Sequence, residues 1–311
     1  MSRLPLGAAG ISTLLAVAVL GGAGTARAGV ADGQACLALA RELDQNKPDT
    51  QIQLNIALFS AAGKDCPTLA KQLLAQGALV EASNRFGTTA LGQAARQGHL
   101  DMVDFLLAHG AAIDARNIAG ATPLFIAAEN DRTAVVHRLL AKGADPNIGR
   151  DNGVTPIAAA AFNGNAAIVA DLIAHHAKPD LADKTEKTPI LYAAAKGFTP
   201  VVRILLDAGV DAKASYGNQL TALMWAAGYA DGAGIDDALR VATLLLDRGA
   251  RLDVADNRGR TALMIAAETG HLEMVDLLLK RGANRDLRDK AGKRAIDLAA
   301  NDAVRQRLAG E

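Results

Sequence analysis

Six histidines, two cysteines and one adjacent pair of aspartates are the residues of this chain whose types could carry chemistry. A metal site needs three or four ligands converging at fixed spacing. His175 and His176 stand side by side near the end of a helical pattern, but no cluster of Cys, Asp or Glu supplies further ligands. The plainer reading gives His176 a left-handed backbone, a conformation in which histidine is enriched among non-glycine residues. His99 and His271 each sit in a Gly-His-Leu triplet and read as braces of a turn between helices. His109 and His137 fall on helix surfaces. Asp236-Asp237 could form an acid–base pair, but they stand just before a helix, where capping and the helix dipole account for them. There is no G-x-S-x-G, no phosphate-binding glycine loop and no H-E-x-x-H. The sequence therefore gives no enzyme, no cofactor and no metal site.

The elements that must position these residues come from a repeat. The stretch from Thr221, "TALMWAAGYADGAGIDDALRVATLLLDRGA", returns forty residues later as "TALMIAAETGHLEMVDLLLKRGA". Anchors of the form Thr-[Pro/Ala]-[Leu/Ile] fall at Thr89, Thr122, Thr155, Thr188, Thr221 and Thr261, spaced by 33 residues except for one gap of 40. Paired aliphatics, from Leu73-Leu74 through Leu245-Leu246 to Leu278-Leu279, keep the same period and the same single interruption. Within a unit, Thr122 can cap a helix that takes Pro123 at its first position. The Ala127-Ala128 pair keeps that helix thin. A turn near Asp131 leads to a second helix with Val135, Val136, Leu139 and Leu140 on one face, and Gly143 supplies a left-handed end. No unit buries its own face, so the fold predicted is an all-α solenoid of stacked helix-turn-helix units.

A 33-residue period carrying T-P-L-x-x-A-A, then G-H, then V-V-x-x-L-L-x-x-G-A resembles the ankyrin repeat, most clearly in "RGRTALMIAAETGHLEMVDLLLKRGANRDLRD". The resemblance spans about residues 52–310, read as about seven units, the last partial. Three features depart from the pattern. The histidine that often follows T-P-L is absent. His176 replaces a helix-ending glycine. Glu186 and Gln219 replace the hairpin glycine seen at Gly87, Gly120, Gly153, Gly259 and Gly292. Seven extra residues lie within 228–238, rich in Gly and Ala, and are expected to lengthen a turn as a flexible excursion, with Asp236 or Asp237 restarting the second helix as its cap. Trp225, the only tryptophan, occupies the place of Ile265 in the next copy and reads as packing.

The resemblance implies binding of a partner protein at the hairpin tips and the exposed face of each first helix. The residues at those places are Arg85, Phe86, Arg96, Gln97, Ile118, Glu129, Asn130, Phe162, Asn163, Lys184, Lys187, Lys196, Tyr229, Arg258, Arg260 and Glu268. Phe86, Phe162 and Tyr229 stand out because only 3% of the chain is aromatic, and aromatics with Arg are typical interface anchors.

The N-terminus reads differently. Arg3, an apolar run from Ile11 to Leu20 and an Ala26-Arg27-Ala28 site make a secretory signal peptide over 1–28, cleaved after Ala28; an uncleaved anchor is the alternative. Its style indicates a bacterial periplasm. Cleavage removes Arg3 and Arg27 and no carboxylate, leaving 31 basic and 33 acidic residues, a formal charge of −2. That balance leaves no electrostatic footprint for nucleic acid or anionic lipid, and no later apolar run is long enough to span a bilayer. Residues 29–51 read as a capping helix with Leu37, Leu39 and Leu43 on its apolar side. In an oxidising compartment Cys36 and Cys66 read as a disulfide stapling this cap to the stack; two small buried thiols are the alternative, and their spacing is not C-x-x-C. The expectation is a monomeric periplasmic module that binds another exported protein.

Overall fold

The threonine that opens a unit lies in extended backbone ahead of a helix, and its hydroxyl accepts an N–H from three residues on. Gly92 donates to Thr89, Phe125 to Thr122, Ala158 to Thr155, Met224 to Thr221 and Met264 to Thr261, at 3.2–3.4 Å. The first N–H groups of a helix have no partner within it, so these caps set where each helix begins. Pro123, Pro156 and Pro189 then occupy the first helical position, where a missing N–H loses nothing.

The computed structural model describes residues 31–228 and 234–310; the leader expected at 1–28, and Tyr229, lie outside the described residues. After α1 (Ala31–Gln45), the helices come in pairs: α2 (Gln51–Gly63) with α3 (Pro67–Ala75), α4 (Ala90–Gln97) with α5 (Leu100–Ala108), α6 (Pro123–Glu129) with α7 (Thr133–Ala141), α8 (Pro156–Asn163) with α9 (Ala166–Ala174), α10 (Pro189–Ala195) with α11 (Thr199–Asp207), α12 (Ala222–Gly228) with α13 (Ile235–Asp247), α14 (Ala262–Thr269) with α15 (Leu272–Lys280), and α16 (Ala295–Leu298) with α17 (Asp302–Ala309). That makes eight pairs among the described residues where the sequence suggested about seven. Both end pairs form without the Thr anchor. Thr50 and Gln53 make a capping box ahead of α2, and Asp297 accepts the Arg294 N–H ahead of α16.

First helices pack side by side from α2 to α16, and second helices from α3 to α17, giving two layers. Between them lies a continuous core. Leu91, Leu124, Ile157, Ile190, Leu223 and Leu263, one per unit, are all buried, as are the paired alanines behind them. An alanine side chain stops at Cβ, so neighbouring first helices approach closely. Val135, Val136 and Leu139 of α7 face inward as the periodicity predicts. At the end of α9, His176 has φ 68 and its N–H bonds Ile173 O, matching Gly143 at φ 90 bonded to Leu140 O at the end of α7.

The hairpins that join units form a row. Backbone N–H groups link one tip to the next: Ile118 to Phe86 O, Asp151 to Ala119 O, Lys184 to Asn152 O, Asn257 to Asn218 O and Lys290 to Arg258 O, at 2.9–3.0 Å. The only two-stranded pairing among the described residues, Ser215–Tyr216 with Leu220–Thr221, is one of these hairpins. Glu186, Asn218 and Gln219 take positive φ of 58–62.

Two expectations are corrected. On α1, Leu37 is 58% exposed, and the side that meets the stack is Cys36, Leu39 and Leu43, at helical spacing. Cys36 and Cys66 lie at disulfide distance, with Sγ atoms 2.01 Å apart. The inserted segment is also more than a loop. Second helices otherwise run to nine residues or fewer, whereas α13 has 13 and gains its extra turn at the N-terminal end. Ala238 is buried there, and Ile235 and Leu239 pack against the core. Asp236 and Asp237 fall inside that first turn. The cap position is Gly234, and neither carboxylate makes a cap hydrogen bond.

Candidate partner-binding surface

At five of the seven hairpin tips, an Asp or Asn side chain folds the turn. Asn84, Asn117, Asp183, Asp256 and Asp289 each accept two backbone N–H groups, from residues two and four positions on. Position 150, in register with them, holds Arg, and its side chain is released for other work. The Arg150 guanidinium pairs with Glu129 at 2.9 Å and lies 5.2 Å from the centroid of the Phe125 ring.

Asp183 does more than fold its turn. Its second oxygen accepts a short hydrogen bond from the Tyr192 hydroxyl, on α10. Burial pushes the Asp183 carboxyl up, but the hydrogen bonds from Thr185, Tyr192 and Lys187 outweigh it and hold it below the usual carboxylate range. Burial, with the Asp183 charge beside it, pushes the Tyr192 phenol far up. The phenol is thus fixed as a neutral donor and its ring is held in place. That ring meets Phe162 edge-on, with centroids 5.8 Å apart. Phe125, Phe162 and Tyr192, with Glu129, Arg150 and Asn163, line a groove of about 290 Å³ across three successive first helices. A larger depression of about 560 Å³ lies on the other layer, between α11 and α13. It is an open trough edged by Arg and Asp side chains, away from every aromatic side chain just named.

The residues expected at the surface divide by what they touch. Phe86, Ile118 and Phe162 are 51%, 70% and 49% exposed, large values for such apolar side chains. The Arg85 guanidinium lies 4.7 Å over the Phe86 ring, and the Lys196 ammonium 5.0 Å over Phe162. Lys187 reaches between two rings, 6.0 Å from Tyr192 and 5.5 Å from Trp225. Trp225 packs against the core, as expected, while offering its ring to this lysine. Lys184, Arg96 and Gln97 are exposed. Other residues are engaged within the stack. Asn130 turns back onto Ile126 O at 2.8 Å, and Asn163 braces the preceding unit through Glu129 O and Asp131. Arg258 pairs with buried Asp256 at 2.8 Å, and Arg260 pairs with Glu268. Phe125, Arg150, Asp183 and Tyr192 did not stand out in the sequence. The signal for Arg150 was there: with Tyr216, it interrupts a position that is Asp or Asn in the other units.

The histidines brace turns. His99 and His271 each stand just ahead of a second helix. Each reaches a carbonyl of the preceding unit, Gly63 O at 3.1 Å and Ala227 O at 3.3 Å. Among the described residues no group of three His, Cys, Asp or Glu could hold a metal ion, and no helix is long and apolar enough to cross a membrane.

Family models for ankyrin repeats match residues 56–150 and 157–237, in a three-copy form, and 245–299, in a many-copy form. The chain belongs to the ankyrin-repeat family. Ankyrin repeats generally mediate protein–protein interaction, and in this ankyrin-repeat chain the grooved first-helix face and the tip row are the surfaces where exposed aromatics gather. No curated protein matches the chain.

Proposed function

We propose that this chain is a non-catalytic periplasmic binding module that holds another exported protein across its hairpin tips and first-helix face, as adaptor, stabiliser or inhibitor. The observation that carries the reading is the groove of Phe125, Phe162 and Tyr192, with Tyr192 locked by Asp183. Phe162 and Tyr192 stand partly exposed over a buried Phe125, and rigid aromatics at the mouth of a concavity are what a hot spot requires. Export rests on the tripartite leader over 1–28 and on a cysteine pair at disulfide distance. A more specific form of the reading is an immunity protein against a toxic effector, or a factor that protects a periplasmic enzyme under oxidative stress; a gene neighbour encoding such an effector or enzyme separates the two.

The test is capture of partners by the mature protein from periplasmic extract, followed by reconstitution with the captured protein. Phe162→Ala and Tyr192→Ala should each weaken the reconstituted complex, while Lys142→Ala, on the second-helix side, should not. Equal binding by all three variants overturns the reading. N-terminal sequencing of the exported chain should begin at Gly29, and a chain that keeps Met1 in the cytoplasm defeats the periplasmic part.

A further inference from the structure

The chain carries 33 basic and 33 acidic residues and no net charge, but the charges are sorted by location. The seven tip segments, 84–88, 117–121, 150–154, 183–187, 216–220, 256–260 and 289–293, contain eight Lys or Arg and five Asp or Glu. Three of the five carboxylates, Asp183, Asp256 and Asp289, are 7%, 3% and 8% exposed and face into their own turns, where backbone N–H groups occupy them. Asp151 is paired with Arg116 at 3.0 Å. Glu186 is the one other acidic side chain in these segments. Of the eight cations, Arg150, Arg258 and Arg260 are paired with Glu129, Asp256 and Glu268. Arg85, Lys184 and Lys290 are exposed, and backbone hydrogen bonds join each neighbouring pair of tip segments except 183–187 with 216–220. A neutral protein therefore presents a ridge on which exposed cations outnumber exposed carboxylates, five (Arg85, Lys184, Arg258, Lys290 and Lys293) to two (Asp151 and Glu186).

The aromatic groove opens beside the middle of this ridge, with Lys196 over Phe162 and Lys187 over Tyr192. Resting on the reading of this face as a protein-binding surface, we propose that its occupant is an acidic, extended segment of the partner protein. One apolar side chain of that segment sits against Phe162 and Tyr192, and its carboxylates lie along the ridge. Charge complementarity sets the register, and the apolar anchor supplies most of the affinity. A uniformly charged polyanion such as nucleic acid fits less well. Glu129 and Glu186 stand at the groove and on the ridge, and the chain lacks the excess positive charge that draws such polymers.

The test uses the mature protein and fluorescein-labelled synthetic peptides read by fluorescence anisotropy: a glutamate-rich peptide with one central leucine, the same peptide without leucine, and a lysine-rich counterpart. The glutamate–leucine peptide should bind, and its binding should weaken as salt rises through the range that screens exposed charges. Removing the leucine, or introducing Phe162→Ala, should weaken it. The Lys184→Glu/Lys290→Glu variant, checked for intact helicity by circular dichroism, should lose about tenfold in affinity or more. No binding of the glutamate–leucine peptide at low salt overturns the inference. So does unchanged affinity in the charge-reversed variant, or tighter binding of a single-stranded oligonucleotide than of the peptide. These failures leave the protein-binding reading standing, because a captured partner can still depend on Phe162 and Tyr192 without depending on salt.

Discussion

Breaking the Cys36–Cys66 link should loosen one end of the molecule and leave the rest almost untouched. The pair closes a loop with a sequence separation of 30, and chain entropy alone then gives about 3–4 kcal/mol. Against this, α1 has little else to hold it. It packs on α2 through the Cys36, Leu39 and Leu43 side, where Leu39 is the one side chain buried to 4%. Full burial of one leucine contributes about 1.5–3 kcal/mol, and a 15-residue helix on its own is marginal in water. Docking of α1 without the link is therefore close to balanced. In Cys36→Ser, amide exchange protection over 31–45 should fall by about two to three orders of magnitude, since each 1.4 kcal/mol is worth tenfold. In a solenoid each unit touches only its neighbours, so the urea midpoint followed by Trp225 fluorescence, five units away, should hardly move. Native hydrogen exchange with mass spectrometry reads both effects. Unchanged protection in α1 would mean that apolar contacts alone hold the cap. A collapse of the Trp225 midpoint would mean that the stack melts as one body.

Three further outcomes follow from the geometry. Tyr192→Phe removes one of the hydrogen bonds that hold the buried Asp183 carboxylate and should cost about 1–3 kcal/mol in a urea titration. The folded Asp183 titrates below its ordinary value, so its contribution is present above about pH 4 and lost as pH falls further. The folded Tyr192 titrates above its ordinary value, so its contribution is full below about pH 10 and lost only as pH rises beyond that; a wild-type stability profile that declines between pH 5 and 9 because of this pair contradicts the assignment. His176→Gly should raise the unfolding free energy in a urea titration by up to about 1 kcal/mol, because it relieves a left-handed non-glycine residue whose ring makes no hydrogen bond or ion pair among the described residues; a lower midpoint would point to a ring contact. Cutting the interrupted unit back to 33 residues by removing Asp231–Asp237 should cost about 1–2 kcal/mol, since it takes away Ile235 and the first turn of α13 that carries Ala238 inward; an unchanged melting temperature would return the insertion to a plain surface loop.

The period and the helix starts were legible because each rests on local chemistry. Thr122 caps, Pro123 tolerates the first position, Gly143 closes, and the spacing of Val135, Val136, Leu139 and Leu140 names the buried face. His176 could be read as left-handed because every other unit has glycine in its place. The end pairs were undercounted because Thr50 and Arg294 start helices without the motif. Leu37 was misplaced on α1 because three leucines at 37, 39 and 43 fit no single helical face, and only the stack decides which are covered. The longer α13 was hidden by Gly232 and Gly234, which resemble a loop, while Ile235, Ala238 and Leu239 already carried the helical spacing. The groove was the least legible part. Phe125, Arg150, Phe162 and Tyr192 come from separate units, and nothing local says that they meet.

The irregularities of the chain gather in one region. Arg150 leaves the turn-folding role at the third hairpin, and Tyr216 takes the matching position at the fifth. Thr188 is the one Thr anchor whose hydroxyl does not cap its helix; Tyr216, pushed up by burial, faces it instead. Glu186, Asn218 and Gln219 hold left-handed backbone where glycine would relieve the strain, and a Cβ on Gly217 would come within 2.6 Å of Glu186. The lengthened α13 follows directly. A stack optimised only for stability would repeat its best unit, as the stretches from Thr89 and Thr261 come close to doing. Departures that each cost on the order of 1 kcal/mol cluster instead around the Phe125–Phe162–Tyr192 groove and the two units after it, where the aromatic rings and their lysines lie. Three of the six described non-glycine residues with left-handed backbone, Glu186, Asn218 and Gln219, lie in two adjacent hairpins beside the groove, a concentration of local strain that stacking alone does not require.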